Sequence, residues 1–262
     1  MSWPLFDVEK LPYILLILVR TSGMFFLSPV FGHRNIPARF KIGFCIILTL
    51  VFYQIYPVPG DYAQPNLFGF VLQIFHELSV GLMFSFLTLL FFSITYMAGQ
   101  VIDIQMGVSI SAAFDPSIGV QTTISAMFLN LAMILYFFVN NGHLRLIQIM
   151  GVSFRYLPVG RFTLNKDVVY VAVDSFVLVF SLAVGLMLPI IGASLLCEAA
   201  LGIIMRAVPN FHAYMVGIPL KIGLGLVVLF AMQPFYIGFC DQAFEKLFTA
   251  SEQLLTSLGA VA

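Results

Sequence analysis

Four ionisable residues lie deep inside strongly apolar stretches of this chain. They are Arg20, Glu77, Glu198 and Lys221. A charge at the centre of a lipid bilayer costs at least about 2.5–3.5 kcal/mol, so such residues usually pair with one another or face water. Two kinds of chemistry are open to them: ion pairs at contacts between helices or subunits, and a relay that passes protons. Structural pairing within a larger complex is the favoured interpretation.

The other candidate residues form no catalytic or metal-binding motif. No histidine has a Cys, Asp or Glu at ligand spacing, and the cysteines lie singly in apolar runs without C-x-x-C spacing. A nucleophile elbow, a phosphate-binding loop and a dinucleotide fingerprint are also absent from the sequence. The sequence therefore predicts no enzyme, no cofactor and no metal site. The residues concerned are His33, His76, His143, His212, Cys45, Cys197 and Cys240.

Residues 99–123 have the pattern of neither a membrane span nor a polar loop. The Asp115-Pro116 step favours a turn, because the residue before proline avoids the helical region. Gly107 and Gly119 are candidate hinges. Irregular backbone is tolerated at membrane depth only where protein buries it or water lines it. The residues alone leave a movable plug and a static re-entrant connection equally open. Side chains that could fill a narrow opening are Met106, Ile110, Phe114 and Ile118.

The composition places these residues in a membrane protein. Of 262 residues, 61% are hydrophobic and only 9% are charged, whereas a soluble chain is about 25% charged. Mean hydropathy is +1.03. The net charge is zero and there is no basic run, so nucleic acid is not predicted as a partner.

Six apolar stretches are candidates for membrane spans of about 20 residues, and they predict one all-α integral membrane domain over residues 1–262. Two are too long for a simple span. As helices, residues 67–97 and 168–205 would extend about 46 and 57 Å, against a hydrocarbon core of about 30 Å. Pro189 should kink or break the longer one, so long bent helices or helical hairpins are predicted. The stretches are 11–31, 40–58, 67–97, 124–139, 168–205 and 213–240.

Two predicted loops, 33–41 and 140–167, carry several positive residues each. Positive loops should lie in the cytoplasm, yet a simple count of spans places these two on opposite sides. Either residues 98–123 add a partial crossing, or the final topology does not follow independent insertion. Both interpretations suit a subunit buried in a larger membrane assembly.

Six short motifs occur in order along the chain and together resemble the FliR family of flagellar biosynthetic proteins, which has counterparts in virulence type III secretion systems. Each motif alone is weak, but six in sequence are specific. They are SPVFGxRxIP at 28–37, GQVIDIQMG at 99–107, FDPxxGVQ at 114–121, NGH at 141–143, RAVP at 206–209 and GxPLKI at 217–222.

This resemblance implies a subunit of the export gate at the base of the bacterial flagellum, in the inner membrane. Family members form a cone-like complex of tilted, broken helical hairpins with FliP and FliQ, joined by FlhB, and unfolded flagellar subunits pass through its pore. A plug loop seals the closed pore, and it corresponds to residues 106–122 here. The plug residues expected from the resemblance are Met106, Gly107, Ile110, Phe114, Asp115, Pro116, Ile118 and Gly119.

The sequence therefore leads to the hypothesis of a non-enzymatic export-gate subunit. Its predicted partners are FliP-like, FliQ-like and FlhB-like proteins, unfolded export substrates and membrane lipid. The four intramembrane charges are expected at subunit contacts. One alternative is a secondary transporter of a small solute, although the inverted repeats typical of that class are not evident around Pro189 and Pro219. The other is the virulence-system homologue, which differs in cargo.

Overall fold

The structure, a computed structural model, consists of helices joined by short turns in the residues that it describes, and it has no strand there. The prediction of an all-α membrane protein is confirmed. The described residues are 10–32, 36–58, 66–108, 123–160, 166–207 and 213–259. Their helices are α1 (Leu11–Phe26), α2 (Ala38–Ile55), α3 (Leu67–Met106), α4 (Ile124–Val139), α5 (Gly142–Tyr156), α6 (Lys166–Ala207), α7 (Ala213–Ala231) and α8 (Gln233–Gly259).

Three of the described helices, α2, α3 and α6, are long and apolar enough to cross a membrane. The pairs α4–α5 and α7–α8 are each bent at a short break. Each pair taken together is also long and apolar enough to cross a membrane, so the described residues allow up to five crossings. With 40 and 42 residues, α3 and α6 extend about 60 and 63 Å. Both exceed the hydrocarbon thickness of about 30 Å. Each must therefore tilt, curve or project beyond the bilayer.

One region differs from what the sequence pattern predicts, and two others add detail to it. Residues 142–156, which the sequence pattern predicts to be part of a loop, form α5. The last apolar stretch, residues 213–240, covers α7 and the first part of α8, and α8 continues beyond it to Gly259. Helix α6 continues through Pro189, so this proline does not break the helix, and the predicted kink stays a prediction. A proline removes one backbone hydrogen bond, and neighbouring groups in a membrane helix can satisfy the carbonyl that it frees.

The helix ends follow from local chemistry. Pro37, with a φ of −56°, immediately precedes α2, where its missing N–H leaves no gap in the helical hydrogen bonds. Asn141 adopts a left-handed conformation with a φ of 55° between α4 and α5, a conformation that asparagine tolerates better than most residues. At the two ends of α6, Asp167 lies in the first turn and Arg206 in the last. Both charges oppose the helix dipole and stabilise the helix.

Residue contacts divide the chain into two compact units. The first comprises residues 1–91, 141–175 and 246–262. Its core includes Leu16, Phe84 and Leu247, each at most 1% exposed. Helices α1 and α3 approach closely at Gly23 and Gly81, since a Cβ on Gly81 would lie 3.0 Å from the Cα of Gly23. Small residues permit this backbone contact between membrane helices.

The second unit comprises residues 92–140 and 176–245. An aromatic cluster forms its centre: Phe137 packs against Phe92 with ring centroids 5.5 Å apart and against Phe244 at 5.3 Å. Helices α3 and α4 meet at Gly99, where a Cβ would overlap the backbone of Ala126. The prediction of a single integral membrane domain remains a prediction.

Candidate functional site

Arg20 and Glu77 form an ion pair that is buried within the first unit. The side chain of Arg20 is 0% exposed and that of Glu77 is 2% exposed. Arg20 donates from Nε to Glu77 Oε2 at 2.5 Å and from Nη2 to Glu77 Oε1 at 3.1 Å. This two-pronged geometry suits arginine because its guanidinium is planar and rigid. The charge that the sequence places in an apolar helix is thus matched within the chain.

Further groups complete the surroundings of this pair. Arg20 Nη1 donates to the Leu157 carbonyl at 3.0 Å and to Ser153 Oγ at 3.5 Å. The guanidinium lies 4.6 Å from the ring centroid of Phe154, a cation–π contact. The backbone N–H of Gly160 donates to Glu77 Oε1 at 2.9 Å. One network therefore joins α1, α3, α5 and the turn after α5, which is why we expect it to be structural.

Lys221 and Glu198 form a second ion pair, between α7 and α6 of the second unit. Lys221 Nζ lies 2.5 Å from Glu198 Oε1, and the side chains are 23% and 44% exposed. Exposed apolar residues surround the pair on both helices, among them Leu195 at 53% and Leu220 at 48%. A partly exposed ion pair on an apolar surface can still make hydrogen bonds to a partner helix. The expectation of a subunit contact stays a prediction for all four charged residues.

The other candidate residues from the sequence, an intramembrane acid and the cysteines, do not form a common site. Asp174 is exposed on α6, in line with a carboxylate that reaches water. Cys45, Cys197 and Cys240 are buried as free thiols. Within the described parts of the chain, no group of three or more His, Cys, Asp or Glu side chains is placed to hold a metal ion.

Of the predicted plug residues, the structure describes Met106 and Gly107. Ile110, Phe114, Asp115, Pro116, Ile118 and Gly119 lie outside the described residues. Met106 is buried at 2% exposure and contacts α7, where a Cβ on Gly225 would lie 2.5 Å from its Cγ. Gly107 has a φ of 79°. The predicted hinge at Gly107 therefore coincides with a helix end, and its hinge motion stays a prediction.

The end of α3 is a Schellman motif. The Gly107 N–H donates to the Ile104 carbonyl at 3.1 Å, and the Val108 N–H donates to the Asp103 carbonyl at 3.0 Å. Ser194 of α6 donates its hydroxyl to the Gln105 carbonyl at 3.0 Å. Carbonyls that would otherwise lack partners at a helix end are thereby satisfied, so the last turn of α3 has a fixed position in the second unit.

Sequence reasoning missed the polar face of α8. From residue 241 to 256, every exposed position on this helix is polar, and the positions between them are buried. This face extends about 22 Å. Lipid contact would be unfavourable for its acids and its lysine, so we interpret it as facing water or polar groups. A helical periodicity count beyond residue 240 could have found it. Its residues are Asp241, Gln242, Glu245, Lys246, Thr249, Glu252, Gln253 and Thr256.

Comparison with known families decides what kind of protein carries these features. The family described as "Bacterial export proteins, family 1" matches residues 11–247. The chain belongs to this family. The matched range includes both ion pairs, the Schellman motif and the residues between α3 and α4, so these features lie within the family's common sequence region.

Several proteins named Flagellar biosynthetic protein FliR are similar to this chain over nearly their full length. The protein from Bacillus subtilis (strain 168) is 29% identical over 255 residues, covering 96% of this chain and 98% of the relative. The Escherichia coli (strain K12) protein is 26% identical over 241 residues, with 92% of each chain covered. The protein from Aquifex aeolicus (strain VF5) is 26% identical over 253 residues, covering 95% of this chain and 96% of the relative.

Proposed function

We propose that this chain is a subunit of the flagellar type III protein export gate in the bacterial inner membrane, at the flagellar basal body. The observation that carries the proposal is the correspondence, along nearly the whole chain, to export-family relatives named Flagellar biosynthetic protein FliR. The proposed partners are FliP-like, FliQ-like and FlhB-like proteins, and the proposed cargo is unfolded flagellar subunits.

The exposed surface of the chain supports the proposal that it is a subunit of a larger membrane assembly. Only 22% of the most apolar 18-residue stretch of α6 is buried, whereas 61% of the corresponding stretch of α3 is buried. The exposed part of α6 is apolar around the Lys221–Glu198 pair. A hydrophobic surface that carries a half-exposed ion pair suits a neighbouring membrane helix with its own polar groups. We therefore assign the contact with partner subunits to the α6–α7 surface.

We further propose that residues 106–122 act as the plug of the closed pore. Support comes from the sequence of this segment and from the fixed positions of its two flanks, Met106–Gly107 at the end of α3 and Thr123 at the start of α4. The apolar side chains of Ile110, Phe114 and Ile118 would exclude water and ions. No catalytic chemistry is needed for this role, because a pore controls passage by shape and polarity.

Co-expression tests the proposed assembly. The chain carries an affinity tag and is produced with FliP-like and FliQ-like proteins, and we expect a stable complex to co-elute in detergent. Glu198→Lys should weaken co-elution, because it places two positive charges together on the α6–α7 surface. The exchanged pair Glu198→Lys, Lys221→Glu should restore it. Purification of the chain as a stable monomer that does not bind these proteins would contradict the proposal.

Ion conductance tests the plug separately. The complex that lacks residues 109–122 should assemble, since the deletion leaves the α6–α7 surface unchanged. In a planar lipid bilayer it should conduct ions in the absence of cargo, whereas the intact complex should stay closed. An assembled deletion complex that remains closed would refute the plug and leave the subunit assignment standing.

A further inference from the structure

Asp103 contacts both ends of the segment that connects α3 to α4. Its backbone carbonyl accepts the Val108 N–H at 3.0 Å as part of the Schellman motif. Its carboxylate accepts the Ser125 N–H, with both oxygens 3.2 Å from the nitrogen. Ser125 is the second residue of α4, so a single residue joins the last turn of one helix to the first turn of the next.

The carboxylate takes the place of a local N-cap. Thr123 occupies the N-cap position of α4, yet its hydroxyl makes no capping hydrogen bond. Helices normally use the side chain at this position to satisfy an N–H of the first turn. Here the acceptor comes from a different helix, 22 positions earlier in the chain. Its negative charge also opposes the positive end of the helix dipole.

The position of Asp103 is itself fixed. Asp103 is 1% exposed, and the turn that carries it is held by the Ser194–Gln105 hydrogen bond and by packing of Met106 against α7. One turn earlier in α3, Gly99 lies against Ala126, the residue after Ser125, and leaves no space between the helices. Movement of the start of α4 away from α3 therefore requires the Asp103–Ser125 contact to break.

We propose that Asp103 is the positioning residue that sets the separation of the two ends of segment 109–122. The consequence for export rests on the proposed function, because it matters to the pore only if that segment is its plug. Asp103 binds neither cargo nor ions in this role. It acts through the first turn of α4. Its loss should weaken the hydrogen bonding of that turn while assembly with the partner subunits is retained.

Hydrogen exchange measures the contact directly. In the purified complex, Asp103→Ala should accelerate exchange of the first-turn amides of α4 by about five- to tenfold, the loss of one capping interaction. Asp103→Asn keeps the shape and one acceptor oxygen but loses the charge, so its acceleration should be about two- to threefold. Asp174→Ala, at an exposed acid on α6, is the matched control and should leave these amides unchanged.

Conductance measures the consequence. Asp103→Ala should co-elute with the partner subunits and conduct ions without cargo, and Asp103→Asn should conduct less. Wild-type exchange in the alanine variant would overturn the positioning role. If the alanine variant does not assemble, the asparagine variant decides, and wild-type exchange there would overturn it equally.

The deletion of residues 109–122 separates the two proposals. A leaking deletion complex together with a closed Asp103→Ala complex would refute the consequence of Asp103 for export and keep the plug, while the exchange rates decide the positioning role. A closed deletion complex would refute the plug, while the exchange rates would still report on Asp103.

Discussion

Removal of Glu77 should destabilise the chain severely, because Arg20 has no route to water. In Glu77→Leu, a guanidinium that is 0% exposed loses both bonds to the carboxylate, and the Gly160 N–H loses its acceptor. Breaking a buried ion pair by removal of one partner costs about 3–5 kcal/mol. Total stabilities of protein domains are about 5–15 kcal/mol, so this loss removes a large fraction.

A double variant distinguishes the buried charge from simple loss of packing. Arg20→Met combined with Glu77→Leu leaves no unpaired charge, although the Leu157 carbonyl and the Gly160 N–H lose their partners. Each such orphaned group costs about 1–3 kcal/mol when buried. Because Gly160 is only partly buried, the double variant should be more stable than Glu77→Leu alone, by about 2 kcal/mol.

The second ion pair provides a matched control. Lys221–Glu198 has the same 2.5 Å separation, but Glu198 is 44% exposed. Loss of an exposed pair typically costs about 0–1 kcal/mol. Glu198→Ala should therefore change the stability of the isolated chain little.

Thermal unfolding in detergent measures these differences. The tagged chain is heated, and the monodisperse fraction is followed by size-exclusion chromatography. Glu77→Leu should lower the midpoint most, the double variant less and Glu198→Ala least. A double variant less stable than Glu77→Leu, or a Glu77→Leu midpoint equal to that of Glu198→Ala, would refute the buried-charge argument.

Two further substitutions test packing and exposure. Gly81→Ala should lower the free energy of unfolding by about 1–3 kcal/mol through overpacking, because its Cβ would meet the backbone of α1. Gly43→Ala, where a Cβ would have nothing within 4 Å, should not lower the same thermal midpoint. Gln253→Cys, on the polar face of α8, should react with a water-soluble maleimide in the assembled complex, whereas Val177→Cys on the apolar surface of α6 should not. Equal labelling of the two cysteines would contradict the assignment of that face to water.

The sequence predicts the helical membrane fold well where apolar residues alone decide it. Residues 124–139 form a helix with the same bounds in pattern and structure, because turn-forming residues flank a run that is apolar except for Ser125 and Asn130. Residues 142–156 fail this test because Arg145 and Arg155 lower their hydropathy. Their apolar side chains still recur at helical spacing, with Leu146, Ile149 and Met150 buried.

The charged site could be predicted only in part. Hydropathy singles out Arg20, Glu77, Glu198 and Lys221, since each is costly in lipid, and this physical argument requires a partner. It does not identify the partner, because pairing depends on which helices become neighbours. In the sequence, Asp103 stands out only as one position of the motif at residues 99–107. Its role becomes visible when the Ser125 N–H is placed beside its carboxylate.

The Arg20 network also imposes an order on biogenesis. Glu77 is synthesised 57 residues after Arg20, and Ser153 and Leu157 follow 133 and 137 residues after it. Before Ser153 and Leu157 are synthesised, Arg20 must either stay near the membrane surface or pair with Glu77 alone. A nascent chain stalled before residue 157 would hold an incompletely solvated charge pair between α1 and α3. The pair gains its remaining partners only when α5 and the turn after it have been synthesised and packed.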